Sequence, residues 1–388
     1  AAIQTNSSAG RAVVITLLST SSVSSTSGAA IIDGDGDAVV TINAGAVLNG
    51  SISLGDGNDM LTIMAGASLD GLTSLDGGSG SFVDILNLGR SWDGVISGWE
   101  TINLNPGAGD FSISGPILGT VPLTKTGTGT MTLSGVNTFT GGTTISQGTL
   151  VGNTQSFGTG DIVNNASLVI DQTTDANFGL VISGTGSLTK TGAGTLTLTG
   201  VNSFSGGTTI TSGRLIGNTQ SFGTGNIVNN ASLVFDQGTA GSFGGGISGT
   251  GSLTKTGSGT LTLTGNNGFT GGTTISSGSL IGNTQSFGTG NIVNNASLVL
   301  DQATDTSFAT LISGTGTLTK TGAGALTLAG VNSFSGGTTI TSGSLIGNAQ
   351  SFGTGAIVNN ASLVLDQTTD ASFATVISGT GSLTKAGA

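Results

Sequence analysis

Residues 186–213 read GSLTKTGAGTLTLTGVNSFSGGTTITSG, with one charged side chain, Lys190, in the whole stretch. Within it "TLTLTG" (195–200) and "TTITSG" (208–213) alternate Thr with Leu or Ile. That period of two is the pattern of a half-buried strand, and Thr, Val and Ile suit a pleated surface. Gly, Asn and Ser clusters separate the runs as turns. Near copies follow at Lys255 and Lys320, with relatives at Lys125 and Lys385, so each lysine stands 65 residues from the next. Three other markers keep the same step. "IVNNASLV" starts at Ile162, Ile227, Ile292 and Ile357; "SFGTG" at Ser156, Ser221, Ser286 and Ser351; "DQ" at Asp171, Asp236, Asp301 and Asp366. Four units therefore run from about Leu123 to Ser382, and a fifth begins before the chain stops at "LTKAGA".

Short strands on a fixed long repeat, with no sustained helical period, predict an all-β parallel β-helix, or β-solenoid. At about 20 residues per coil the 65-residue repeat holds about three coils. Phenylalanines divide it the same way: Phe139, Phe157 and Phe178 recur in every unit at intervals of 18, 21 and 26. One ring per coil would form a column along the axis; three unrelated core positions are the alternative. Residues 1–120 differ from 121–388. They hold eleven of the nineteen acids and two arginines, a net of −9, against −2 for the remainder. The strand rhythm persists there, in "AVVTINAGAVLNGSISLGDGNDMLTI" for example. We therefore divide the chain into an acidic, non-repeating solenoid region, 1–120, and the repeats, 121–388.

Composition narrows the function classes. Gly accounts for 72 of 388 residues without the every-third spacing of collagen, and hydrophobics at 35% argue against disorder. A formal charge of −11 disfavours nucleic acid. With no Cys or His, disulfide staples and the common nucleophilic triads are excluded. No run of 18 apolar residues is present to span a membrane as a helix. The opening "AAIQTNSSAG" lacks the basic start and apolar core of a signal peptide.

"LTKTGAGTLTLTGVNSFSGGTTITSGRLIGN" resembles the passenger-associated repeat of bacterial type V autotransporters. "ISLGDGNDMLTIMAGASLDG" and "LDGGSGSFVDILNLG" resemble the blocks that precede it in such passengers. The likeness covers roughly residues 30–388. It implies a right-handed β-helix exported through the outer membrane and displayed by a C-terminal β-barrel, which is expected outside this chain. A chain without Cys also suits passage through a pore unfolded.

Candidate chemistry is sparse. "DGDGD" (Asp33, Asp35, Asp37) and "GDGND" (Asp56, Asp59) suggest calcium-binding turns, but tandem nonapeptides are missing; acids that cap coils are the preferred reading. Asp56 with Asp84 is the best pair for glycoside hydrolysis, with Glu100 as the single glutamate. "SGTGSLTKTG" fails the phosphate-loop pattern because Thr189 precedes Lys190 and a strand follows. Lys190 and its equivalents are expected on the outer face, their stems lying along the sheet. The "NNAS" sequons at Asn165, Asn230, Asn295 and Asn360 read as turn asparagines bonding adjacent backbone. Trp92 and Trp99 would serve as a sugar or protein contact if exposed and would close a coil if buried; burial is preferred.

These features predict a non-enzymatic protein without cofactor or metal, at a bacterial cell surface or secreted. The leading expectation is an adhesive passenger mediating adhesion, cell–cell self-association or biofilm formation. Its partners would be host-cell or neighbouring-cell surface molecules, glycans among them, with homotypic contacts as another mode. The alternatives are a purely structural fibre or matrix component, and the stalk of an enzyme whose catalytic part lies elsewhere.

Overall fold

The computed structural model describes residues 3–5, 12–25, 28–80 and 83–387. Most of the opening "AAIQTNSSAG", and Ser81 and Phe82 of the second acidic block, lie outside them. Among the described residues there is no helix, and every strand pair is parallel. The chain divides into two compact units: residues 1–172 with 178–189 and 200–206, and residues 173–177 with 190–199 and 207–388.

In the first unit a single sheet joins Val13–Leu17, Ala38–Ile42, Met60–Ile63, Ile85–Leu88, Thr101–Leu104, Leu123–Lys125, Thr143–Ile145 and Ile162–Asn164, ending at Ile182–Ser183. Each strand puts alternate side chains inward, so its inward residues stack on those of the neighbouring coils. One such column reads Leu17, Ile42, Ile63, Leu88, Leu104, Lys125, Ile145 and Asn164. The aliphatic members are buried, and burial of each contributes about 1.5–3 kcal/mol. Pairing passes residue 120 unbroken, since Leu104 lies beside Lys125 and Phe111 beside Met131.

The second unit shows how a coil closes. Strands Ile227–Asn229, Ser232–Asp236 and Gly241–Phe243 lie on three sheets. The next strand, Ile247–Ser248, then returns to pair with the first. A coil thus has three faces. Along one face Leu253 pairs with Thr273, Thr273 with Ile292, and Ile292 with Ile312. Three coils therefore take 59 residues, from 253 to 312, and six of the 65 remain. Those six turn one more corner, so Leu318 pairs with Leu298 on the next sheet. A repeat is three coils plus one face. Equivalent strands in successive repeats, those of Lys255, Lys320 and Lys385, consequently lie on three different sheets.

That offset interrupts the expected phenylalanine column. Phe308 pairs with Leu328 one coil on, and six more residues reach Phe334 on another face. Within a repeat the rings do meet. Phe287 and Phe308 pack edge to face at 6.4 Å, and Phe157 and Phe178 at 6.0 Å. The column is a short stack that restarts on a new face in every repeat.

The lysines correct a second expectation. Lys125, Lys190, Lys255 and Lys320 are not on the outer face but fully buried. Lys255 occupies an inward position between Phe235 and Ile275. Its Nζ donates to the carbonyls of Thr256 (2.6 Å), Gly257 (2.8 Å) and, one coil on, Ser277 (3.2 Å). Lys125 and Lys320 make the same three bonds. An ammonium has three donors and no acceptor, which matches a corner where three carbonyls converge. The corner needs glycine twice. Gly257 has φ +74°, and Gly278 has φ +70° with the Lys255 amine 2.9 Å from where a Cβ would sit. Burial lowers the pKa of Lys125, Lys255 and Lys320, opposed at the last two by Asp236 and Asp301.

Asparagines fill other corners. Asn294 accepts from the Ala296 N–H and donates to the Thr317 carbonyl of the next coil at 2.8 Å. The sequon residue Asn295 accepts from the Thr315 N–H at 3.3 Å, as expected of a turn asparagine. Lys255→Ala should cost about 3–5 kcal/mol, because it opens a cavity and strands three carbonyls. Lys255→Met, which keeps most of the volume, should cost about 2 kcal/mol. Urea unfolding measures both, and amide exchange should accelerate first in strands Ser252–Thr256 and Thr273–Ile275. Unchanged unfolding of the alanine variant would remove the clamp from the energetics.

Candidate functional site

Unlike the repeats, the non-repeating coils carry most of the net negative charge and can hold features made once. Carboxylates there run along the axis as ladder rungs. The Ala38 N–H donates to Asp59 Oδ1 at 2.7 Å, the Asp59 N–H to Asp84 Oδ1 at 2.8 Å, and the Asp84 N–H to Glu100 Oε2 at 2.9 Å. Asp59 and Asp84 are buried, and Asp59 Oδ2 has no partner among the described residues. Burial first, and then the charges of Asp84, Asp33 and Asp37, raise the Asp59 pKa to about 7 against the pull of the Ala38 N–H. Asp84 is raised by burial and then by Glu100 and Asp56.

The structure thus groups Asp84 with Asp59 and Glu100. Asp56 instead accepts from the Ser79 hydroxyl at 3.1 Å, and Asp37 from the Asn58 N–H at 2.9 Å. Bonds between coils account for these acids. Among the described residues no three His, Cys, Asp or Glu side chains gather as a metal site requires. Further along, Asp175 and Asp305 do the same for the N–H groups of Thr195 and Ala325, each at 2.7 Å. The Thr195 bonds hold the Asp175 carboxyl below its ordinary pKa.

Trp92 and Trp99 are buried, as preferred. The Trp99 indole donates to the Leu75 carbonyl at 3.1 Å. Trp92 lies against Gly94, where any Cβ would be 2.5 Å from the ring.

A groove of about 730 Å³ opens on the outer side of the sheet that carries Ile42, Ile63, Leu88 and Leu104. Its wall is an outward column in which Thr62, Asn87 and Asn103 lie in register. Asn103 Nδ2 donates to Asn87 Oδ1 at 2.9 Å, and Asn87 Nδ2 to Thr62 Oγ1 at 3.3 Å. Gly89 makes the notch: the position after the last inward residue is Met64 on one coil, Gly89 on the next and Asn105 beyond. Sequence reading missed this place. The one signal was Asn at outward strand positions, where the repeats carry mostly Thr, Ser or Val.

Residues 123–151, 188–216, 253–281 and 318–346 match the passenger-associated-transport-repeat family. Each matched segment holds a buried lysine and the glycine one coil on that lines the same corner, Lys255 and Gly278 for instance. The chain carries four of these repeats, in keeping with an autotransporter passenger domain. That repeat family implies an extracellular or surface-displayed passenger. No curated protein and no solved structure matches the chain.

The acid ladder makes the first unit sensitive to pH. A carboxyl whose folded pKa is raised stabilises the fold fully below its unfolded value, 3.8 for Asp59, and that stability is lost as pH rises through about 7. The melting temperature should therefore fall between pH 5 and pH 8. Asp59→Asn keeps an acceptor for the Ala38 N–H and removes the charge. It should melt ~3 °C or more above the parent at pH 8, the effect of about 1 kcal/mol in a unit of this size. Parallel pH profiles for the two proteins would contradict the assignment.

Proposed function

We propose that the chain is a surface-displayed, non-catalytic adhesive passenger, whose non-repeating coils make contact with host or neighbouring cells while the repeats act as spacer. The observation that carries this reading is the contrast between the two parts of the chain. Residues 1–120 hold the acid ladder, most of the net charge and most of the amide-lined groove. The repeats offer Thr, Ser and Val outward, and equivalent strands of the second unit turn onto a new sheet at each repeat. A partner docking on one repeat would meet its copy one face away on the next, which suits a spacer better than a tandem binding surface. Of the pair best placed for hydrolysis, Asp84 accepts from the Asp59 N–H as a rung between coils and Asp56 accepts from the Ser79 hydroxyl, which supports the non-catalytic reading.

Two deletions test it. Removal of Leu253–Thr317 joins Ser252 to Leu318 in matching register, so folding should persist. The loss of length should be about 16 Å, ten-thirds of a coil at ~4.8 Å. Adhesion or aggregation of displaying cells should survive this deletion and be abolished by removal of residues 1–120. The opposite pattern would make the repeats the adhesive surface.

A further inference from the structure

We propose that the groove around Gly89 binds a neutral oligosaccharide. This rests on the adhesive reading only for its biological setting; the geometry stands by itself. The rim is made of side-chain amides and hydroxyls: Asn43, Asn87, Asn103, Asn105, Thr62 and Thr126. Among the described residues no charged side chain lines it, although residues 1–120 hold eleven acids. An amide both donates and accepts, so it recognises hydroxyl groups, which do the same, without selecting a charge.

The amides are fixed and only partly used. Asn43 Nδ2 donates to the Leu17 carbonyl at 3.0 Å, and Asn105 Oδ1 accepts from the Gly107 N–H at 2.9 Å. Asn103 is held through its Nδ2 by Asn87. The other polar atom of each, Asn43 Oδ1, Asn105 Nδ2 and Asn103 Oδ1, has no partner among the described residues. Two acceptors and a donor are thus held at fixed positions, Asn103 and Asn105 on one coil and Asn43 three coils away, about 14 Å at ~4.8 Å per coil. That span is the length of a short oligosaccharide rather than of one sugar.

Between the amides the surface is apolar. Met64 is 47% exposed, and Ala44, Ala65 and Pro106 complete the lining. A sugar presents the complementary arrangement, with hydroxyls at its rim and C–H groups on its face. Burial of that face against the exposed Met64, Ala44 and Ala65 supplies the apolar part of the affinity. An anionic glycan would gain no cationic partner from the lining, since Arg90 lies outside it in the adjoining depression that also holds Asp110; a peptide would bring charges and backbone groups that nothing here pairs.

The test is titration of the full chain with neutral oligosaccharides of two to five residues (cello-, xylo- and N-acetyllactosamine series) and with sialylated and sulfated counterparts. Isothermal calorimetry and ligand-observed NMR report the binding. At least one neutral series should bind with Kd of about 0.1–1 mM. Gly89→Leu should weaken it at least ~tenfold by filling the notch, and so should Asn103→Ala. A Cβ at Gly89 would lie 3.2 Å from the Ile63 carbonyl oxygen, so the melting temperature is measured alongside. Asn103→Ala, which adds no atoms, carries the test if Gly89→Leu unfolds.

The proposal is overturned by no neutral binding at 5 mM (roughly −3 kcal/mol), by equal affinity for acidic glycans, or by unchanged affinity in folded variants. Cell adhesion by the same variants separates the two readings. Lost glycan binding with intact adhesion supports the groove and places adhesion elsewhere. Adhesion without any glycan binding refutes the groove and leaves the adhesive reading standing.

Discussion

Every coil gives its backbone N–H and C=O groups to the coils on either side, and the rest of the structure follows from keeping that ladder unbroken at the corners. Along a face the parallel strands satisfy one another. At a corner the chain turns and its carbonyls converge inward, where water cannot reach them and an unpaired group costs about 1–3 kcal/mol. The buried lysine is the solution used once in each repeat. One amine claims three carbonyls from two successive coils, and the apolar residues on either side of it, Phe235 and Ile275 at Lys255 and Leu300 and Ile340 at Lys320, exclude water. Asparagine does the same at other corners with one donor and one acceptor. A corner cation inside an aliphatic column is costly to desolvate, and the three charge-assisted bonds offset that cost.

The length of the repeat has a consequence that composition does not reveal. At three coils plus one face, each repeat in the second unit is turned by one face relative to the one before. Inward columns therefore mix residues from different places in the repeat: Gly282, Leu300, Lys320, Ile340 and Asn359 stack as one series. A small residue lies next to a large one, and a polar cap next to an aliphatic plug. A repeat of whole coils would stack lysine on lysine every third coil along one face. The extra six residues spread the amines over all three corners.

In the first unit freedom from repetition is used differently. Carboxylates replace amides as coil-to-coil acceptors, with Asp59, Asp84 and Glu100 in sequence, and like charges accumulate where the repeats would keep neutral groups. Asp59 carries a pKa near 7 as a result. On the outer side of the same sheet Thr gives way to Asn, and one glycine opens a notch. Both departures exploit the same period of two, one on the inward and one on the outward side of the strand.

The sequence by itself determined the class of fold. Thr–Leu alternation, the constant 65-residue step and turn residues between strands leave few alternatives to a parallel β-solenoid with about three coils per repeat. It also contained the position of the lysine. Leu188 and Lys190 are two residues apart on one strand and so share a face; the amine's affinity for water led the reading outward, because no local pattern reveals carbonyls waiting in a corner. The intervals 18, 21 and 26 likewise held the extra face, hidden in the 26 as one coil of 20 and six residues more. Only the tertiary structure decided which corner each residue occupies, since that depends on the summed length of coils between distant partners. It alone brought Asp84 to Asp59 and Glu100 rather than to Asp56, and set Gly89 between Met64 and Asn105. Those neighbours are 16 to 25 residues apart and become adjacent only when coils of unequal length stack.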